Sequence, residues 1–267
     1  MREAVEFYNY PDAKCYGRGA PYISRPVLEL LIHRYLGNSP EKRLVALGSG
    51  KGALSNCHPN YLALDISHLA LKTWLRGRRT VQANIQSVPL KDRTADLVFS
   101  RCVLEHLPRP EACLEEIDRI LKPGGVLLLG PAWFCRPWAA SGLKIKSFRQ
   151  LSWNQRLMKI SIFIRDSLLW RASLILPQRL FREADLALRP RPVPFRYKKL
   201  TPNLEEHLTP DSDAMASMDP HMALLYFTSR GYRTLRKSGF WFRLLFKDRF
   251  VIVRKGGHPE GTEPGRA

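Results

Sequence analysis

The sequence predicts an α/β fold, built on a parallel sheet with helices over both faces. Two observations carry this. Between Arg43 and Gly130, short apolar runs alternate with segments of helical period, and each run is apolar on both sides. The first run also breaks directly into glycines, LVALGSGKG, as a buried strand entering a turn does.

In order along the chain, FYNYPDAKCYGRGAPYIS reads as a Tyr/Gly-rich loop. RPVLELLIHRYLG reads as a helix, with Pro26 in its first turn and Gly37 as its stop. RLVALG and NYLALD are the first two strands, the second ending in Asp65. SHLALKTWLRG is a helix with Ser67 as N-cap, and TVQANI is the third strand. ADLVFS, EACLEEIDRILK and GGVLLLG follow as strand, helix and strand. From Pro131 to about Pro194 the text turns basic, aromatic and helical, then proline-rich in RPRPVPF. A helix resumes at HMALLYFTSRG after Asp219-Pro220, and YRTLR and RFVIVRK close the chain as two strands. The tail GGHPEGTEPGRA has the composition of a disordered segment.

Hydrophobic residues make up 45% and charged residues 25%, the balance of a globular rather than a disordered chain. The opening MREAVEFYNYPDAK lacks the apolar centre of a signal peptide, and no uncharged apolar run is long enough to span a bilayer. Five widely spaced cysteines with no C-x-x-C disfavour a disulfide framework or zinc knuckle and suit a reducing cytoplasm. Cys102 and Cys113 read as small buried hydrophobes. The net charge of +19 is uneven: residues 131–200 hold 15 Lys/Arg against three acids, a surplus of 12. Nucleic acid, an anionic membrane surface or a phosphorylated substrate would each suit that segment.

The glycine loop admits two ligand readings. A Walker loop needs a glycine where Val45 stands and Ser or Thr after the lysine, where Gly52 stands, so that reading fails. Gly48-x-Gly50-x-Gly52 is tighter than the G-x-G-x-x-G of a dinucleotide fold, and alone it fits a plain structural turn equally well. Its surroundings decide. Asp65 ends the next strand, where a carboxylate can accept both hydroxyls of a ribose, and Asn84 ends the third, where an amide can meet an adenine edge.

Over Arg43 to Gly130, and in the two closing strands, the chain resembles the class I S-adenosylmethionine-dependent methyltransferases of the type 11 group. The resemblance rests on LVALGSGKG, YLALDIS, VQANIQSVPLKDRTADLVFSRCVLEHL and LEEIDRILKPGGVLLLG in that order, with LKPGG the most characteristic phrase. It implies a Rossmann-like, seven-stranded, mostly parallel sheet with an antiparallel last strand, here with a helical lid insertion. It also implies S-adenosyl-L-methionine as cofactor. Gly48, Ser49, Gly50 and Gly52 would admit its methionine part, Asp65 and Ile66 its ribose and adenine, and Asn84 and Ile85 the adenine edge and face. Ser100 and Arg101 would line the cofactor and the acceptor entry. The organisation expected is a cover segment and helix at 1–40, a cofactor-binding core at 41–130 and a basic lid at 131–200. A return to the core at 201–255 and a disordered tail at 256–267 complete it. Two departures stand out: Ala46 replaces the family's acid two residues before the first glycine, and Asn84 replaces its acid after strand three. The helix after the glycine loop is also shortened, to GALSNCHPN.

Methyl transfer to an alcohol needs a nucleophile held in line, exclusion of water and a base for the acceptor proton. The candidates are His106, His207, His221, Asp211, Asp213 and Asp219, of which His106, His221 and Asp213 are the selected set. Each has a structural alternative: His106 as a helix-start residue at the pocket rim, Glu105 as a capping or solvent-facing acid, and the acidic LTPDSDAMASMDPHM as helix caps. No His/Cys/carboxylate set has metal-ligand spacing, so no metal is expected.

In the insertion, Trp153, Leu157, Ile160, Ile164 and Leu168 follow helical spacing. A helical lid folded over the acceptor pocket and an interfacial helix seated on membrane are the two readings. The function expected is methylation, at oxygen, of a small-molecule or lipid/saccharide-linked acceptor by a cytoplasmic protein with a surface suited to an anionic membrane. An RNA-directed methyltransferase and a non-catalytic binding protein of the same fold are the alternatives; the sequence does not give the oligomeric state.

Overall fold

The chain, seen in a computed structural model, is described over residues 2–9, 25–52, 54–75, 77–205, 211–236, 239–245 and 250–257. Most of the opening loop, His207 and the tail expected at the end therefore lie outside the described residues.

The central strands are buried on both faces, and this dictates the layers. β1 (Leu44–Leu47) is fully buried. Because side chains alternate along a strand, Val45 and Leu47 enter one core with Cys113, Leu114, Ile117, Met222 and Phe227, while Leu44 and Ala46 enter another with Leu28, Ile32, Leu36 and Leu71. The first core is roofed by α4 (Pro110–Ile120) and α7 (Pro220–Thr228). The second is roofed by α2 (Arg25–Leu36) and α3 (His68–Trp74). α2 buries Leu28, Ile32 and Leu36, one face at i, i+4, i+8, and ends where Gly37 takes φ 71° and donates to His33 O.

The remaining strands are β2 (Tyr61–Asp65), β3 (Arg79–Gln82), β4 (Ala95–Arg101), β5 (Leu121–Gly130), β8 (Arg233–Thr234) and β9 (Val251–Arg254). They form one seven-stranded sheet in the order β3-β2-β1-β4-β5-β9-β8. β1 to β5 pair in parallel, and β9 runs antiparallel to both β5 and β8. The strand order reverses between β1 and β4, and such a switch point places a crevice beyond the carboxyl ends of the strands. The expected sheet, with its antiparallel last strand, is present. A separate two-stranded ladder, β6 (Lys198–Lys199) against β7 (Ala216–Ser217), was not legible.

Several local expectations are corrected. Phe7, Tyr8 and Asn9 end a helix, α1 (Arg2–Asn9), because the helix-forming residues before them carry it onward. β3 stops at Gln82, so Asn84 lies past it in a turn where its Oδ1 accepts from Gln86 N–H at 3.0 Å. Cys113 is buried as expected, but Cys102 is exposed, at the sharp exit from β4 where it takes φ 53°. The insertion forms α5 (Trp153–Asp166) and α6 (Leu168–Leu188). α5 opens on a reciprocal cap between Ser152 and Gln155, and α6 on Ser167, whose hydroxyl accepts from Trp170 N–H. The helical stripe is where its spacing put it, yet it faces out: Trp153, Leu157, Ile160, Ile164 and Leu168 are all exposed.

Candidate active site

The tips of β1, β2 and β4 converge through backbone bonds. Gly48 and Ser49 N–H both donate to Leu64 O, at 2.8 and 3.0 Å, folding the glycine loop onto β2. Gly48 takes φ 66°, and a Cβ there would stand 2.2 Å from Val103 Cγ2, so glycine is required on both counts. Gly50 N–H donates to Asp65 Oδ2 at 2.7 Å, and Ser67 N–H donates to Asp65 Oδ1 at 2.9 Å. Burial pushes the Asp65 carboxyl above its usual range, against the pull of these amides. Ser100 is the residue before last in β4, in register with Leu47, and both its hydroxyl and that of Ser49 are buried without a partner among the described residues. Buried hydroxyls without partners on neighbouring strand tips are what a polar ligand would satisfy.

Gly52 approaches Leu75, and Ile66 is half-buried beside Asp65. Ile85 is buried in the core, and Arg101 is half-buried as the last residue of β4. Ala46 packs among Leu44, Ala63 and Leu71, so an acid at this position would be buried in an apolar layer.

A second cluster lies just past β4, in the 3₁₀ turn Leu104–His106. His106 Nδ1 is 3.2 Å from Asp213 Oδ2, and Nε2 is 3.7 Å from Glu105 Oε1. Tyr8 of α1 donates its hydroxyl to the same Asp213 oxygen at 2.8 Å, and its ring meets the His106 ring edge to face. Burial disfavours the charged imidazole, but Asp213, Glu105 and Asp211 outweigh it and raise the His106 pKa above the ordinary value. Glu105, read from the sequence as a capping or solvent-facing acid, is fully buried instead. Its Oε1 accepts from Ala132 N–H and its backbone carbonyl from Met215 N–H, and burial pushes its carboxyl upward.

α1 links the two clusters. Ser67 Oγ donates to Tyr8 O at 2.9 Å, and Asn9 Oδ1 accepts from Leu69 N–H at 3.2 Å. The helix end thus runs from the β2 exit to the His106–Asp213 pair. Sequence reasoning missed Tyr8 and the buried state of Glu105. Nothing local signals the first, since its partner is 205 residues away.

Of the selected bases, His106 and Asp213 are brought together and His221 is not. His221 is fully buried at the start of α7, with Nε2 3.0 Å from Glu183 Oε1 on α6. Arg243 also holds Glu183, whose carboxyl is kept below its usual range: burial opposes the shift, but His221 and Arg243 prevail. Beside them Arg179 and Arg182 pair with Asp219 at 2.7 and 2.8 Å. This network fastens the insertion to α7.

Residues 45–129 match a family described as a methyltransferase domain. Among curated proteins, the chain is 38% identical to an uncharacterized protein of Methanocaldococcus jannaschii over 48% of this chain and 60% of that one. It is 32% identical to a malonyl-[acyl-carrier protein] O-methyltransferase of Methylococcus capsulatus over 41% of this chain and 44% of that one. The matched region thus spans about half the length of these relatives. A solved structure of a putative S-adenosyl-L-methionine-dependent methyltransferase from Methanococcus maripaludis is 20% identical, over 82% of this chain and 92% of that one, with a TM-score of 0.37.

Proposed function

We propose that this chain, whose residues 45–129 match a methyltransferase-domain family, is a class I S-adenosylmethionine-dependent methyltransferase that methylates an oxygen of a small-molecule or lipid/saccharide-linked acceptor, with His106 as general base. One observation carries the reading: Asp65 Oδ2 accepts from Gly50 N–H at 2.7 Å, so the carboxylate at the end of β2 and the glycine turn after β1 meet at the carboxyl edge of the sheet.

The residues present fit the cofactor. A carboxylate offers about four acceptor positions. The amides of Gly50 and Ser67 take one on each oxygen and that of Ile66 also acts on the carboxylate, so Asp65 would retain a position for a ribose hydroxyl. Ile66 and Ile85 would flank the adenine, and Asn84 would share its already bonded oxygen with the adenine amino group. The hydroxyls of Ser49 and Ser100 would gain partners at the methionine end. The cofactor supplies a methyl group on a sulfonium centre, open to in-line displacement.

A base is needed only where the acceptor holds its proton tightly, as a hydroxyl does. The His106–Asp213 pair would supply one: the carboxylate 3.2 Å from Nδ1 stabilises the charged form of the ring electrostatically, and Nε2 would take the proton. Tyr8, bonded to Asp213 and packed against the ring, screens this pair from water. The O-methyltransferase relative supports oxygen as the atom methylated.

Calorimetric titration with S-adenosylhomocysteine tests the reading. Saturable binding that is lost in Asp65→Ala is expected; no heat at millimolar ligand would leave a non-catalytic protein of this fold instead.

A further inference from the structure

The α5–α6 pair is built inside out. α5 buries Ile162 alone, and the residues that α6 buries are charged, Arg179 and Glu183. Its large apolar side chains face away from the protein: Phe163 is 87% exposed, Leu169 84% and Phe181 73%. Trp153, Leu157, Ile160 and Ile164 form one outward stripe on α5, and Trp170, Leu174, Phe181 and Leu188 a second on α6. Single exposed apolar residues are ordinary, but two unpartnered stripes on touching helices mark an interaction surface.

The same segment holds most of the chain's charge surplus, 12 of +19 over residues 131–200. Lys144, Arg149 and Arg165 are exposed around the stripes, and Arg156 and Lys159 are half-buried on α5 itself. At the helix junction a groove of about 580 Å³ is lined by Lys144, Lys159, Ile162, Phe163, Asp166 and Ser167.

We propose that the α5–α6 pair seats this protein on an anionic lipid bilayer, with the apolar stripes entering the headgroup boundary and the Lys and Arg side chains meeting the lipid anions. Tryptophan and phenylalanine among aliphatic residues, with lysine and arginine beside them, are the composition of an interfacial helix. No described helix is long and apolar enough to cross a membrane, so the pair lies on the surface. Charge argues against a second copy as the occupant, since a dimer would press two strongly basic faces together within a screening length of about 8 Å. Nucleic acid would meet phosphates with the lysines and arginines but leave the aliphatic stripes uncovered.

The surface is continuous with the candidate active site. Asp166 at the end of α5 pairs with Arg136 at 3.2 Å and Lys144 at 2.6 Å, and Arg171 lies over the Phe134 ring. These residues tie the helices to the segment leaving β5, whose Ala132 amide bonds Glu105 beside His106. Docking would therefore bring the site to the bilayer face, where a lipid-linked acceptor resides; only this last step rests on the proposed function.

The test is flotation of the full chain with phosphatidylcholine vesicles carrying about 30% phosphatidylglycerol, against phosphatidylcholine alone. The protein is expected to float with the anionic vesicles only. The triple variant I160S/I164S/F181S, altered solely at exposed stripe positions, should float at least ten-fold less while its circular dichroism and S-adenosylhomocysteine titration stay as in the parent. Failure of that titration in both proteins would count against the methyltransferase reading, whereas failure of flotation counts against docking. The proposal is overturned if the parent does not bind anionic vesicles, or if the triple variant binds them as well as the parent. It is equally overturned if sedimentation shows a parent dimer that the variant dissolves, or if the parent retains RNA at physiological salt but ignores vesicles.

Discussion

Asp65→Ala removes two short bonds at once, from Gly50 N–H at 2.7 Å and Ser67 N–H at 2.9 Å. Each bond to a charged acceptor contributes about 1.5–3 kcal/mol, and a buried amide left without a partner costs about 1–3 kcal/mol. Against this stands the cost of holding the carboxylate out of water, which is what pushes its pKa up. Taking that offset into account, a net loss of about 2–4 kcal/mol in folding stability is expected, concentrated in the glycine loop. Asp65→Asn keeps one acceptor oxygen but turns an NH₂ toward the other amide, so its loss should be about half as large. Urea unfolding of the three proteins measures the order, and titration with S-adenosylhomocysteine measures the site. The expected order is wild type, Asn, Ala in stability, with binding weakened at least a hundred-fold in Ala. An Ala variant within about 0.5 kcal/mol of the parent and with unchanged affinity would refute both the strand-tip linkage and the ribose assignment.

Four further outcomes follow from the geometry. His106 has its pKa raised by Asp213, Glu105 and Asp211, so methyl transfer should fall as pH drops through a value above the ordinary imidazole value of about 6.5, and His106→Gln should abolish that limb of the pH–rate profile. By the same linkage, the stabilisation from charged His106 is complete below about 6.5 and lost as pH rises through the folded value, which urea midpoints across that window will show. Gly48→Ala places a Cβ 2.2 Å from Val103 at φ 66° and should cost about 2–4 kcal/mol, part of it recovered by adding Val103→Ala; no recovery would mean that the contact with Val103 is not the cause. Asp219→Ala strips the carboxylate from buried Arg179 and the cap from α7, so a loss of about 3–5 kcal/mol and faster proteolysis within α5–α6 are expected.

The central strands β1, β2 and β4 were legible because they are short, apolar on both sides and bounded by glycine or polar turns; β3, expected to be apolar too, is largely exposed at the sheet edge. Gly48, Gly50 and Asp65 were legible as a group for a similar reason: motif order along the chain reflects strand order at the sheet edge. Asn84 was placed in the strand although it lies two residues past its end at Gln82, because Ala83 continues the strand pattern while the side chain of Asn84 starts its own turn. His106 and Asp213 could be named but not paired, and His221 could not be separated from them. Those distinctions depend on contacts between residues far apart in sequence, His106 with Asp213 and His221 with Glu183, which no local pattern encodes. The α5–α6 stripe is the reverse case. Its period was correct, but a period says which residues share a face and not what that face meets.

β9 lies between β5 and β8, and its four residues are the last of the sheet to be synthesised. Until Val251–Arg254 emerge from the ribosome, the edge Val126–Leu129 of β5 offers unpaired amides and carbonyls along an aliphatic row while the whole basic insertion is being made. That edge stays open in the growing chain until residue 254 has been made, so β9 is the strand that converts an adhesive border into an interior one. A version that stops before residue 251 would keep the Val126–Leu129 edge unpaired.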